Sequence, residues 1–269
     1  MHPTDSAMAA PYSDPERSGR CFWWAALLPP LLALLMMAGL FQLDRPASMQ
    51  AMQSLTLYLP DTFWAGATLL GNGAMVLACL SLAWRRRPDW LMAGLCALPF
   101  ATLISRGFKL GIDSPRPAAL LADGQLHIIG ERLLNHSLPS GHTLTAFVAT
   151  AIILLAGRVP RAWALAAVLL ATLVGLSRIA VGAHWPTDVL AGAAGGWLAG
   201  AIGVALARRW AWTRTPRAEW LMALIVLCAS LGLFFVNIGY QQAILFKYLV
   251  AAAGTMSALR WLLTRWQRC

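Results

Sequence analysis

Long apolar runs separated by short polar breaks dominate the chain, and no stretch shows the every-second-residue alternation of a membrane barrel strand. Eight apolar segments stand out, at about 22–42, 62–84, 89–108, 142–157, 162–181, 185–207, 218–236 and 243–263. A helix needs about 20 apolar residues to cross the hydrocarbon layer, so most of them have the length and the fourth is short. Only helices and closed barrels satisfy every backbone polar group in lipid, so the pattern predicts an all-α polytopic membrane bundle. Pro29-Pro30 falls inside the first segment and is expected to kink it. The semi-polar stretch 43–61 reads as a helix lying in the interface. Trp23, Trp24, Trp84, Trp90, Trp210, Trp212, Trp220, Trp261 and Trp266 sit near segment ends, as in an aromatic belt.

Residues 1–20 are polar and contain Pro3, Pro11 and Pro15, which predicts a disordered cytoplasmic tail. Arg17 and Arg20 precede an apolar stretch, as in a signal peptide. That stretch is long, however, and no small-residue cleavage pattern follows before Asp44-Arg45, so a retained span is expected.

Composition supports the membrane reading. Of 269 residues, 59% are hydrophobic and 12% charged, where soluble domains carry about a quarter charged. The net charge of +10 does not point to nucleic acid, because the basic residues form short tracts between apolar runs, such as Arg85-Arg86-Arg87 and Arg208-Arg209. With the N-terminus inside, fourteen Lys and Arg fall on the inner side and seven on the outer. The positive-inside rule then puts both termini in the cytoplasm. The five cysteines show no paired spacing, so neither a disulfide framework nor a zinc site is expected.

Three polar clusters lie at segment ends: Lys109 with Arg116-Pro117, then Pro139-Ser140-Gly141-His142, then Ser177-Arg178 with His184 and Asp188. Eight alternating crossings put all three on one face of the bilayer, whichever way the protein points. Lys109, Arg116 and Arg178 are three cations at a lipid boundary without three matching carboxylates. Such charges are costly and call for an anion, and arginine's planar fork suits phosphate oxygens. Gly141 opens a helix whose free amides and dipole favour negative charge, and Ser140 adds a hydroxyl donor. His184 and Asp188 are four apart at a helix start, so they can share a face. A carboxylate on one ring nitrogen frees the other to attack, and His142 becomes the candidate general acid.

These residues resemble the three-part signature of the type-2 phosphatidic acid phosphatase superfamily, which also includes vanadium haloperoxidases and some phosphotransferases. That signature is Lys-x6-Arg-Pro, Pro-Ser-Gly-His and Ser-Arg-x5-His-x3-Asp. All eleven specified residues are present in order and in register, over about 80 residues from 109 to 188. The resemblance implies that Lys109, Arg116 and Arg178 bind phosphate oxygens, with help from Ser140 and Gly141. It implies that His184 becomes a phosphohistidine oriented by Asp188, and that His142 protonates the leaving group and then activates water. Pro117, Pro139 and Ser177 are supporting residues. No metal and no cofactor are implied, since the cations take the role magnesium has elsewhere. A six-span core over 21–210 is implied, followed by two additional helices over 211–269 that leave the chemistry unchanged.

The expected substrate is an amphiphile with a phosphomonoester or diphosphate, entering from the outer leaflet of a bacterial inner membrane to a periplasmic site. Undecaprenyl diphosphate, phosphatidylglycerol phosphate, phosphatidic acid and lipid A phosphates are the family's candidates; membrane lipids are partners and nucleic acid is not. A lipid-to-lipid phosphotransferase has the same motifs, and a non-catalytic transporter or scaffold is the rival of a different class. Taken singly, the His184–Asp188 pair suits a buried helix-end contact, His142 a cap, and Lys109 a snorkelling lysine. Arg106 reads as a headgroup anchor, Asp44 and Asp61 as interface residues, and His127 with Glu131 as a solvated loop face rather than a metal pair.

Overall fold

The computed structural model describes residues 19–266, and among these every regular element is helical. The tail expected over 1–20 lies outside the described residues, save that the first helix already begins at Gly19. The helices are α1 (Gly19–Leu40), α2 (Arg45–Thr56), α3 (Asp61–Leu69), α4 (Gly73–Ser81), α5 (Pro88–Gly111), α6 (Pro117–Leu120), α7 (Gly141–Leu155), α8 (Arg161–Ala180), α9 (Pro186–Arg209), α10 (Pro216–Phe235) and α11 (Ile244–Trp266). Six are long and apolar enough to cross a membrane, and seven spans result if α3 and α4 together make one. The remaining apolar helix, α7, has 15 residues and rises about 22 Å, short of a full crossing.

The segment at 62–84, read from sequence as one span, is made of two helices bent by 72°. Asn72 causes the break, because its side chain accepts the amides of Ala74 and Met75 and starts α4 afresh. Gly71, in the bend, meets the backbone of α7: a Cβ there would lie 2.6 Å from His142 Cβ and 2.8 Å from the His142 carbonyl. Through Pro29-Pro30 the first helix continues unbroken.

The bundle is built around α9, with 61% of its apolar window buried against 17–33% for the other long helices. Its neighbours are α7, α5 and α1. Lipid tails are as apolar as leucine, so helices in a bilayer associate through close backbone approach at small residues. The inward face of α9 has that character: a Cβ on Gly196 would stand 2.1 Å from the Leu144 carbonyl, and one on Gly200 2.7 Å from that of Val148. Outward faces are apolar and uncovered, as with Trp24, Leu35 and Met36 on α1, which fits a multi-pass membrane protein.

The helix α2, expected in the interface, packs against α8. Met49 packs with Leu121, Ile179 and Trp185. The Gln53 amide both donates to the His127 carbonyl (2.7 Å) and accepts its N–H (2.9 Å). The C-terminal helices α10 and α11 pack on each other and on α4. Among the described residues Cys21, Cys79, Cys96 and Cys228 form no disulfide, and Cys269 lies outside them.

Candidate active site

The last turn of α8 carries Arg178, and the chain then reverses so that the amides of Ala183 (3.1 Å) and His184 (3.2 Å) both donate to the Arg178 carbonyl. Gly182 makes the reversal possible at φ +73°. Pro186 starts α9 where its missing N–H is no loss. One turn in, the Asp188 carboxylate reaches back to the Trp185 amide at 3.0 Å. This tight corner sets His184 Nδ1 3.5 Å from Asp188 Oδ2. That is an ion-pair distance rather than the direct hydrogen bond read from sequence. The same oxygen already accepts the hydroxyl of Ser137 and the Trp185 amide.

Arg116 arrives on the loop between α5 and α7. Its guanidinium is anchored on carbonyls, from Nε to Asn135 (2.8 Å), Nη1 to Ala183 (2.9 Å) and Nη2 to His136 (3.4 Å). Nη1 also lies 3.3 Å from His184 Nε2. An imidazole accepting there carries its proton on Nδ1, on the Asp188 side, and keeps the Nε2 lone pair on the cationic side. Burial, with the Arg178 charge beside it, lowers the Arg116 pKa to about 10, so it stays charged at neutral pH. His184 is almost fully buried, and that burial, followed by the charges of Arg116, Arg178 and Lys109, holds its pKa well below 6.5. A neutral imidazole among three cations is the result.

Lys109 ends α5, and its Nζ lies 3.9 Å from where a Gly141 Cβ would stand. It is within electrostatic reach of Arg116 and Arg178. His142, in the first turn of α7, has the cations Arg178, Lys109 and Arg116 and the imidazole of His184 around it, and its Nε2 is buried without a hydrogen-bond partner. Thus Lys109, Arg116, His142, Arg178, His184 and Asp188 come together, from parts of the chain some eighty positions apart.

The other motif residues sit differently. Ser140 is fully buried; its amide donates to the Asp188 carbonyl (3.0 Å) and its hydroxyl accepts from Thr143 (2.9 Å), so it clips the loop onto α9. Gly141 borders the lysine without a clash for a Cβ. Ser177 turns away, its hydroxyl on the Val174 carbonyl of its own helix. Pro117 opens the short α6, and Pro139 follows a cis peptide bond. Arg106 is exposed. His127 pairs with Asp61 at 2.9 Å rather than with Glu131, and no group of three or more metal-type ligands occurs among the described residues. Asp44 caps α2 through the Ala47 amide.

Sequence reasoning passed over four contributors. Ser137 holds Asp188, Gly71 abuts His142, and Thr68 and Tyr240 both accept hydrogen bonds from Arg178 Nη1. Ser137 sits two residues before Pro139, close enough to a motif to have been considered. The other three lie in apolar segments or an undistinguished turn and carried no signal.

Residues 90–216 match the PAP2 superfamily. The chain is 28% identical to the lipid A 1-phosphatase of Rhizobium etli over 204 residues, covering 69% of this chain and 86% of that protein. Among solved structures it is 31% identical to Aquifex aeolicus LpxE, covering 54% of this chain and 85% of that one, with a TM-score of 0.48. It also matches the first transmembrane PAP2-type phosphatidylglycerolphosphate phosphatase from Bacillus subtilis, at 22% identity and a TM-score of 0.51, covering 69% and 97%. The matched region and three complete signature motifs agree, and the chain belongs to the PAP2 superfamily as a membrane phosphatase acting on lipids.

Proposed function

We propose that this phosphatase hydrolyses a lipid phosphomonoester or diphosphate through a phosphohistidine at His184, without a metal ion, on the periplasmic face of a bacterial inner membrane. The observation that carries the reading is the neutral, buried His184 with Nε2 3.3 Å from Arg116 and the charges of Arg178 and Lys109 around it. Cations bind the phosphate, and an unprotonated nitrogen beside them attacks it.

In the first step His184 Nε2 forms a bond to phosphorus as the bond to the lipid oxygen breaks. His142 donates its proton to that oxygen, which leaves as the alcohol or, from a diphosphate, as the monophosphate. In the second step His142 takes a proton from water as the water oxygen attacks phosphorus, the N–P bond breaks, and inorganic phosphate departs. Charge accumulating on the equatorial oxygens meets Lys109, Arg116 and Arg178, fixed before the reaction starts. Asp188 faces the Nδ1 proton, which becomes more acidic as Nε2 bonds to phosphorus.

Candidate substrates are those the relatives are named for, a lipid A 1-phosphate or phosphatidylglycerol phosphate, together with phosphatidic acid and undecaprenyl diphosphate. The site lies at helix ends beside lipid-facing surfaces, which favours an amphiphile over a soluble phosphate ester. Fourteen basic residues inside against seven outside support inner termini, given that each of the eight apolar segments crosses. The six-span core with two added helices rests on the same condition.

The test is phosphate release from a panel of lipid phosphates in detergent micelles, by wild type, His184→Ala and His142→Ala, with and without chelator. Wild-type activity that survives chelation and disappears in His184→Ala supports the reading. Equal activity in wild type and His184→Ala ends it. A newly phosphorylated lipid in place of free phosphate, when a lipid acceptor is added, makes the protein a phosphotransferase.

A further inference from the structure

A guanidinium offers five N–H donors in a rigid plane, and it grips phosphate in two-pronged fashion only if one edge is kept clear and correctly turned. In Arg178 one nitrogen is fully spent on the protein. Nη1 donates to the Thr68 hydroxyl and, at 2.7 Å, to the Tyr240 hydroxyl, which accounts for both of its hydrogens. Nε is buried and has no hydrogen-bond partner. The guanidinium carbon also lies 6.0 Å from the centre of the Tyr240 ring. Two acceptors on Nη1 therefore fix the rotation of the plane, and the Nε side is the edge left over.

The two acceptors come from parts of the chain outside the three motifs. Thr68 lies near the end of α3, just before the bend, and is fully buried. Tyr240 lies in the turn between α10 and α11, held where Gly130 of the long loop approaches it. A Cβ on Gly130 would stand 2.6 Å from the Gly239 carbonyl and 3.0 Å from the Tyr240 ring. Ala243 anchors the turn in a cluster with Trp64 and Ile129.

We infer that Thr68 and Tyr240 are positioning residues that aim the free edge of Arg178 at the phosphate, making the C-terminal helix pair α10–α11 part of the active site. This rests on the proposed role of Arg178 as a phosphate ligand. It revises the sequence expectation that the last two helices leave the chemistry untouched, and it gives them a chemical task.

The experiment compares Tyr240→Phe, Thr68→Val and Thr68→Ser with wild type in two assays: lipid phosphate hydrolysis, and calorimetric binding of orthovanadate, which needs no turnover. Phe keeps the ring and its packing and removes only the hydroxyl. A hydrogen bond to a charged group supports a loss of about 10-fold to 100-fold. Tyr240→Phe and Thr68→Val should each lose at least about 10-fold in kcat/KM and bind vanadate correspondingly more weakly, with unchanged thermal midpoints. Thr68→Ser, which keeps the acceptor, should recover most of what Thr68→Val loses.

Tyr240→Phe within twofold of wild type in both assays overturns the inference. So does a loss that tracks a lowered melting temperature and is not recovered by Thr68→Ser, which would mark these contacts as packing alone. Full hydrolysis by His184→Ala in the same series would defeat the catalytic reading instead, and the vanadate measurement would still report on Arg178.

Discussion

Replacing Asp188 by Asn isolates the charge of one carboxylate while disturbing little else. Asp188 Oδ2 accepts from the Ser137 hydroxyl and the Trp185 amide, and an asparagine carbonyl in its place serves both donors. What is lost is the negative charge 3.5 Å from His184 Nδ1, with both side chains almost fully buried. When Nε2 bonds to phosphorus the ring gains positive charge. A full unit charge at that distance interacts by roughly 5 kcal/mol at an effective dielectric of about 20, and half a unit by roughly 2.4 kcal/mol. Asp188→Asn should thus lower kcat by between about 50-fold and about 3,000-fold, depending on how far charge has developed in the transition state. The assay is initial-rate phosphate release from a micellar lipid phosphate, with a thermal melt in the same detergent as control. A kcat within threefold of wild type in a protein of unchanged melting temperature would refute the assignment of Asp188 as the electrostatic partner of His184.

Other consequences can be measured in the same system. Because burial and three neighbouring cations hold the His184 pKa well below 6.5, the acid limb of kcat/KM should fall well below that value. Arg116→Gln removes one of those charges and should move the limb to higher pH as well as lowering the rate; a limb that stays put would argue against His184 as its source. Gly71→Ala forces a Cβ to within 2.6 Å of His142 Cβ, and a displacement of about 1 Å can cost on the order of 100-fold, so kcat should fall sharply in a folded protein. Wild-type kcat would show that the bend does not set His142. Gly196→Ala meets the Leu144 carbonyl at 2.1 Å and should cost about 1–3 kcal/mol, seen as a lower melting temperature.

How much was legible in the sequence follows from the range of each interaction. Motif residues were readable because charged and histidine side chains stand out at the ends of apolar segments, and the structure does bring Lys109, Arg116, His142, Arg178, His184 and Asp188 together. The segments themselves were readable from hydropathy, which reports average burial in lipid. Hydropathy is blind to a three-residue break such as Leu70 to Asn72, since capping by Asn72 changes direction without changing polarity. The shortness of the fourth segment was legible as well, and α7 has only 15 residues, below the length of a crossing helix. Thr68 and Tyr240 reach Arg178 from 110 and 62 positions away. Nothing local marks such partners, because what selects them is a guanidinium hydrogen arriving from another helix. The identity of Ser137 as a partner of Asp188 is of the same kind, decided by how the loop folds back on α9.

Trapping the intermediate bears on the core of this account more directly than any rate. Wild-type enzyme mixed with a phosphate-labelled lipid and quenched within milliseconds into alkali should carry label in an alkali-stable, acid-labile N–P linkage, and peptide mapping should place it on residue 184. Label should be lost in His184→Gln and persist longer in His142→Ala, where water activation is slowed. Label on another residue, or hydrolysis by the wild type at full rate with no labelled protein at any quench time, would contradict attack by this imidazole.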